Sequence, residues 1–330
     1  NELNKEEFSF KDFPLEAIIR KISQKFDEQT GGFKGAPKFI MPNTLEFLLR
    51  YSVQKHQYSI LDFVKTSLQK IAFGGIFDRV EGGFSRYSVD SHWHIPHFEK
   101  MLYDNALIVS LYSKAYAATG KNLFREVAEK TLDFISKNLT SPDGAFYSAL
   151  DADSFDEEEI RKEGAYYIFS EEELKNTIEN RFDIFQSYYA ILPEMEWEGK
   201  YVLFRRFPDE EIKKTFNVEE EDFVRLKKEW KEGLNKLRDQ RSKPRLDDKS
   251  VTAWNAMMQE AYIDAYNAFG KESYLNIAEK NANLIIKSIL QEDGSIFRIY
   301  KSGKSSIPGF LEDYAFVIQS FISLYQTTSD

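Results

Sequence analysis

Three histidines, a tryptophan and three acidic residues fall within the 25 positions from Gly82 to Ala106, GGFSRYSVDSHWHIPHFEKMLYDNA. The stretch runs directly into an apolar segment, LIVSLYSKAYAA, from Leu107 to Ala118. His97, Glu99 and Asp104 stand at the junction. A histidine there can take or give a proton near neutral pH. Crowded carboxyls raise one another's pKa values, so that one stays protonated as an acid while another stays ionised. More acidic residues stand at comparable places: Asp151 and Asp153 after a DG turn, Asp247 and Asp248 with Lys249 before a second apolar segment, and Glu312 and Asp313 before a third. Singly, Asp247, Glu312 and Asp313 read first as helix-start residues opposing the dipole. Three apolar helices sharing the feature point to a site. The catalytic set is therefore His97, Glu99, Asp104, Asp151, Asp153, Asp248 and Asp313.

Around these acids, Phe84, Tyr87, Trp93, Tyr103, Trp254 and Tyr314 offer rings for stacking, the usual partner of a sugar face, and each would equally serve a core. Asn255 follows Trp254 and shares its helix. Arg86 suits a carboxylate ligand or balances the neighbouring acids. His92-x-His94-x-x-His97 has a spacing that zinc can use. Pro96 interrupts any helix that would align the three, and no second ligand cluster follows, so neither a metal nor a cofactor is expected.

The elements that must position these residues are helical. Apolar residues Leu15, Ile18, Ile19, Ile22 and Phe26 follow a helical period. Asn43-Thr44-Leu45-Glu46 reads as a capping box opening a helix to about Val53, and another helix spans 60–72. Two long segments then resemble each other. AYAATGKNLFREVAEKTLDFISKNLTSPDGAF starts at Ala115, and AYNAFGKESYLNIAEKNANLIIKSILQEDGSIF starts at Ala265, an offset of 150 residues. Each reads as an apolar helix, a glycine stop at Gly120 or Gly270, an amphipathic helix and a DG turn. Segments 106–118, 251–269 and 310–325 are apolar nearly all round and should be buried, whereas 123–139 and 274–290 are striped and should lie outside. Alternating inner and outer helices describe an all-α fold, an α/α toroid, whose inner helices begin at one mouth. Residues 154–220 break the rhythm and read as an insertion with a small β element, including YVLFRRF at 201–207. Ser170 with Glu173 forms a further cap. About nine helices exceed two turns, fewer than six hairpins need, which predicts an incomplete ring forming one domain over 1–330. Residues 1–13 read as an extended polar lead-in.

Composition narrows the function. A net charge of −10 argues against a nucleic-acid partner. The absence of cysteine excludes thiol chemistry in this segment. No apolar run approaches the roughly 20 residues of a membrane span, and the start shows no signal-peptide pattern. A cytoplasmic location is the expectation.

Seven motifs carry a resemblance: GGFKGAPKF (31–39), GGIFDRVEGGFSRYSVD (74–90), WHIPHFEKMLYDNA (93–106), DADS (151–154), KEGAYYIFSEEEL (162–174), DDKSVTAWNA (247–256) and GFLEDYAF (309–316). Together, and in this order, they resemble the thioredoxin-domain-containing family of spermatogenesis-associated protein 20. The resemblance implies a six-hairpin glycosidase-type toroid that follows a thioredoxin-like domain, here without that domain and without the last hairpins. Toroids of this type include glycoside hydrolases and N-acylglucosamine 2-epimerases. Two readings follow. One is a sugar hydrolase or epimerase acting on a small-molecule substrate. The other is a non-catalytic module that presents a ligand or client to the thioredoxin-like domain.

Overall fold

The computed structural model describes residues 14–330, so the lead-in expected over 1–13 lies outside the described residues. Three helices open the chain, α1 (Leu15–Ser23), α2 (Pro42–Gln54) and α3 (Tyr58–Phe73). Two short strands, β1 (Tyr87–Ser88) and β2 (Pro96–His97), pair antiparallel, and β3 (Lys100–Met101) leads into α4 (Leu102–Thr119) and α5 (Asn122–Asn138). After β4 (Ala149–Leu150) the insertion begins with a hairpin, β5 (Asp153–Phe155) and β6 (Arg161–Glu163). It continues through α6 (Glu171–Thr177), α7 (Phe182–Tyr188), α8 (Asp209–Phe216) and α9 (Glu220–Arg238). The ring resumes with β7 (Leu246–Asp247), β8 (Ser250–Val251), α10 (Thr252–Phe269) and α11 (Glu272–Leu284). It continues with β9 (Phe297–Lys301), β10 (Lys304–Pro308) and α12 (Leu311–Thr328).

The inner helices α2, α4, α10 and α12 pack in that order. α4 and α10 are the expected apolar helices, each ended by a glycine, Gly120 or Gly270, at positive φ. α5 and α11 lie outside them, with Phe124, Leu132 and Phe134 on one and Tyr274 and Ala278 on the other facing inward. The 150-residue repeat is thus a repeat of whole hairpins. It reaches side-chain level. Asn105, fourth in α4, accepts from the Phe84 N–H at 2.7 Å and donates to the Phe84 carbonyl at 3.1 Å. Asn255, fourth in α10, treats Phe146 the same way at 2.8 and 3.0 Å. In α12 the fourth residue is Tyr314, whose hydroxyl accepts from the Ile296 N–H at 3.2 Å. Each of these three inner helices is tied to the turn before it. Those turns are close-fitted: at Gly83, with φ +78°, a Cβ would stand 2.4 Å from the Phe134 ring.

Three local expectations are corrected. α2 starts one residue before Asn43, with Pro42 in its first turn and no side-chain cap. Proline has no N–H to satisfy and a φ already suited to a helix start, which makes a capping box unnecessary. YVLFRRF forms no strand beyond a single bridge from Tyr201 to Phe169. Its residues pack instead, Arg205 lying over the rings of Phe73 and Tyr188 at 4.2 and 4.5 Å. The apolar segment 310–325 is not buried. Only Asp313 and Ser320 of α12 are, and Leu311, Ile318, Ile322 and Tyr325 are 52–85% exposed. α12 rests on α10 with one face and leaves the other without a neighbour among the described residues.

The insertion has its own core around Trp230, with Phe185, Tyr188 and Phe223, and α9 belongs to it. The capping box of Ser170 and Glu173 starts α6 as expected. A buried charge triad ties this unit to the ring. Asp78 receives the Lys100 ammonium at 2.8 Å and the Arg238 guanidinium at 2.7 Å. Burial alone would raise the Asp78 pKa, but Arg238 and Lys100 hold it below the ordinary carboxylate range. Among the described residues, no helix is long and apolar enough to cross a membrane.

Candidate active site at the toroid mouth

Short strands gather the polar segments. β4 lies between β3 and β7, pairing Leu150 with Lys100 and Ala149 with Asp247. β9 joins β8 through Ser250 and Tyr300. The loops before α4, α10 and α12 therefore meet on one rim, with the DADS loop among them.

On that rim His97 faces Tyr87 across the β1–β2 pair, and the rings stack at 5.0 Å. Phe39 packs on Tyr87 at 4.9 Å. His97 Nδ1 lies 2.7 Å from Glu163 Oε1, which also accepts the Phe98 N–H at 3.1 Å. With Nδ1 so engaged, Nε2 points toward Glu99, 3.7 Å from Oε2. The Arg86 guanidinium is 3.6 Å from the same oxygen, and the Arg86 N–H donates to the Glu99 carbonyl.

Asp104 follows in the first turn of α4. One of its oxygens is buried and has no hydrogen-bond partner. Burial raises its pKa to about 7; Arg86 and the Tyr103 hydroxyl pull it down, and Glu99 adds to the rise. Beside it the Tyr103 and Trp254 rings meet at 5.0 Å. The mouth therefore combines a carboxyl that stays protonated near neutral pH, a second carboxyl next to an arginine, an oriented imidazole and exposed ring faces.

Asp151 and Asp153 form the adjoining wall. Asp151 pairs with Arg161 at 2.8 Å and with Arg245 at 3.5 Å, and Asp153 pairs with Arg161 at 3.2 Å. Asp153 stands opposite Glu163 in the β5–β6 register, so their side chains share a face. The insertion hairpin is thus continuous with the His97 group.

Other expected members are placed elsewhere. Asp248 is half exposed and bound to Lys301 at 2.5 Å. Asp313 is fully buried: Oδ1 accepts the Ala253 N–H at 3.0 Å, and Oδ2 accepts the Phe310 N–H and the Arg298 guanidinium. It joins α12 to α10 and has no face toward a ligand. Phe84 and Trp93, expected to offer ring faces, are 0% and 1% exposed; Trp93 instead donates from Nε1 to the Thr30 carbonyl at 2.9 Å. Asn255 and Tyr314 are spent on the backbone ties described above. Among the described residues, no three histidine or acidic side chains are arranged to hold a metal, the His92, His94 and His97 series included. Glu163, Phe39, Arg161 and Arg245 were missed. Glu163 belongs to the KEGAYY motif, the one sign that it mattered.

Fold and rim together define an α/α toroid of the six-hairpin glycosidase type. A solved unsaturated glucuronyl hydrolase specific for heparin superposes with a TM-score of 0.55 at 14% identity, covering 96% of this chain and 69% of the hydrolase. The chain is a homologue of spermatogenesis-associated protein 20: it is 32% identical to the Homo sapiens protein over 94% of this chain. It is also 33% identical to an uncharacterized Caenorhabditis elegans protein over 99% of this chain. It spans about half the length of these curated relatives, 44% and 48%. No family model matches it.

Proposed function

We propose that the toroid mouth is the acid/base centre of a carbohydrate-active enzyme that cleaves a glycosidic bond. The observation that carries this reading is Asp104, a carboxyl with an unpartnered buried oxygen and a pKa near 7, set beside Glu99 and Arg86 under aromatic rings. In hydrolysis, Asp104 gives its proton to the leaving oxygen as the bond to the anomeric carbon breaks. Glu99, aided by His97 Nε2, takes a proton from the attacking water. Tyr87, Tyr103 and Trp254 carry the sugar faces, and Asp151 and Asp153 with Arg161 bind hydroxyls. The superposed hydrolase acts on sugar units, by its name, and supports the substrate class through the fold alone. Epimerisation would need bases on both faces of a ring carbon, and the mouth gathers a single histidine, which favours hydrolysis.

The test is turnover of an oligosaccharide panel by the chain and by Asp104→Asn and Glu99→Gln. Loss of a positioned acid or base lowers the rate about 10²–10⁴-fold. Undiminished turnover in Asp104→Asn overturns the assignment. Sugar binding without any turnover overturns it too, in favour of a ligand-presenting module beside a thioredoxin-like domain.

A further inference from the structure

α4 and α10 are buried almost throughout. From Leu102 to Ala115 the residues that keep some exposure are Tyr103, Asp104, Leu107 and Lys114. From Thr252 to Ala265 they are Trp254, Met257, Glu260 and Asp264. On a helix these spacings draw one stripe each. The stripes correspond through the 150-residue repeat: Asp104 matches Trp254, Leu107 matches Met257, Ser110 matches Glu260, and Lys114 matches Asp264. The last pair is also in contact, Lys114 Nζ lying 2.9 Å from Asp264 Oδ2. The stripes line the ring's lumen, and a cavity of about 410 Å³ lies against them with walls from α2 and α12 as well. Ten residues of helix, at 1.5 Å each, put its floor about 15 Å below Asp104.

The cavity wall is mixed. Leu107, Met257, Phe47 and Phe316 give it apolar surface. Every inner helix also contributes a polar group: Glu46 from α2, Lys114 from α4, Glu260 from α10 and Gln319 from α12. Putting charges out of bulk water is costly unless they are paired. Lys114 serves two carboxylates, Glu46 at 3.0 Å and Asp264 at 2.9 Å. Glu260 has no cation of its own among the described residues; its partner is the Gln319 amide at 2.8 Å. Three carboxylates thus face two cations, Lys114 and the more exposed Arg50, which pairs with Glu46 at 2.5 Å and lines the same cavity, so one negative charge, that of Glu260, is left over. Burial keeps the Glu260 pKa above its ordinary value, as expected of a carboxyl short of a counter-charge.

We infer that this floor is a binding subsite for an amine-bearing sugar, whose ammonium completes the pairing of Glu260. Its hydroxyls meet Ser110, Gln319 and Asn43, and its apolar face rests on Phe47 or Phe316. The inference rests on the sugar reading of the mouth for its ligand class, and on the lumen alone for the charge. It sets the floor against uronic acids, whose carboxylate would add a fourth negative group.

Saturation-transfer NMR titrations of the 330-residue chain with glucosamine, N-acetylglucosamine, glucose and glucuronate test it. Glucosamine should bind about tenfold more tightly than glucose or N-acetylglucosamine, a difference of the size a charge-assisted hydrogen bond supplies, and glucuronate least. Glu260→Gln should abolish the preference. Gln319→Leu, at an exposed position that unfolding does not threaten, should weaken it. Asp104→Asn should leave it intact, because that residue belongs to the mouth. No glucosamine binding, equal affinities, or a preference that survives Glu260→Gln overturns the subsite and shows the floor to be a structural ion network. Absence of turnover with the preference intact would instead remove the catalytic reading and leave the subsite standing.

Discussion

Replacing Asp104 by asparagine should stabilise the protein, and by more as the pH rises. Below pH 3.8, the ordinary aspartate value, the carboxyl is protonated in both the folded and the unfolded chain, so ionisation contributes nothing. Between 3.8 and about 7 the unfolded chain releases this proton while the folded chain retains it, and stability falls with each step. Above about 7 both forms are ionised and the penalty is constant. At 1.36 kcal/mol per pH unit, the interval corresponds to about 4 kcal/mol. Water at the mouth screens part of this, which leaves roughly 2–4 kcal/mol. Asparagine has the same shape and never ionises, so it escapes the penalty. Urea unfolding of wild type and Asp104→Asn at pH 4, 6 and 8.5 measures the gap, which should be smallest at pH 4 and plateau by 8.5. A gap that is constant across this range would refute a proton held on Asp104, and with it the acid in the proposed reaction. The same substitution should cost activity, so the residue would trade stability for chemistry.

Two further outcomes concern the scaffold. Asp78→Asn leaves Lys100 and Arg238 buried without their counter-charge and should cost about 3–5 kcal/mol in urea unfolding; because Lys100 adjoins Glu99 in the chain, sugar turnover should fall as well. Asn255→Ala strands the Phe146 N–H and carbonyl, and Asn105→Ala strands those of Phe84; each should cost about 1–3 kcal/mol per unsatisfied group, and equal losses in the two variants would confirm that the ties are equivalent.

Much of the ring was legible because its signal is local. The glycine stops and the alternation of all-apolar with striped helices depend on residues close in the chain, and the 150-residue offset is a comparison of two such local patterns. The gathering of His97, Glu99 and Asp104 followed from their nearness in sequence. What could not be read depends on burial or on distant partners. Phe84 and Trp93 have the composition of a sugar platform and the positions of a core, which residue type does not distinguish. Glu163 meets His97 from 66 positions away, in a segment that reads as an appendage. Lys114 and Asp264 were absorbed into helices judged by their apolar majority, although an ion pair between them was implicit in the repeat. α12 shows the opposite failure: an apolar sequence announces that a face will be covered and does not say by what.

The ties from Asn105, Asn255 and Tyr314 all run backward, each to a turn already synthesised when its helix emerges. A ribosome delivering this chain N-terminus first would present each rod with its docking point in place, so the ring can grow one hairpin at a time without waiting for closure. Stability then accumulates between neighbours, as in a solenoid. The long insertion can sit between the second and third rods because the docking point of α10, Phe146, precedes it in the chain and is in place before the insertion is made.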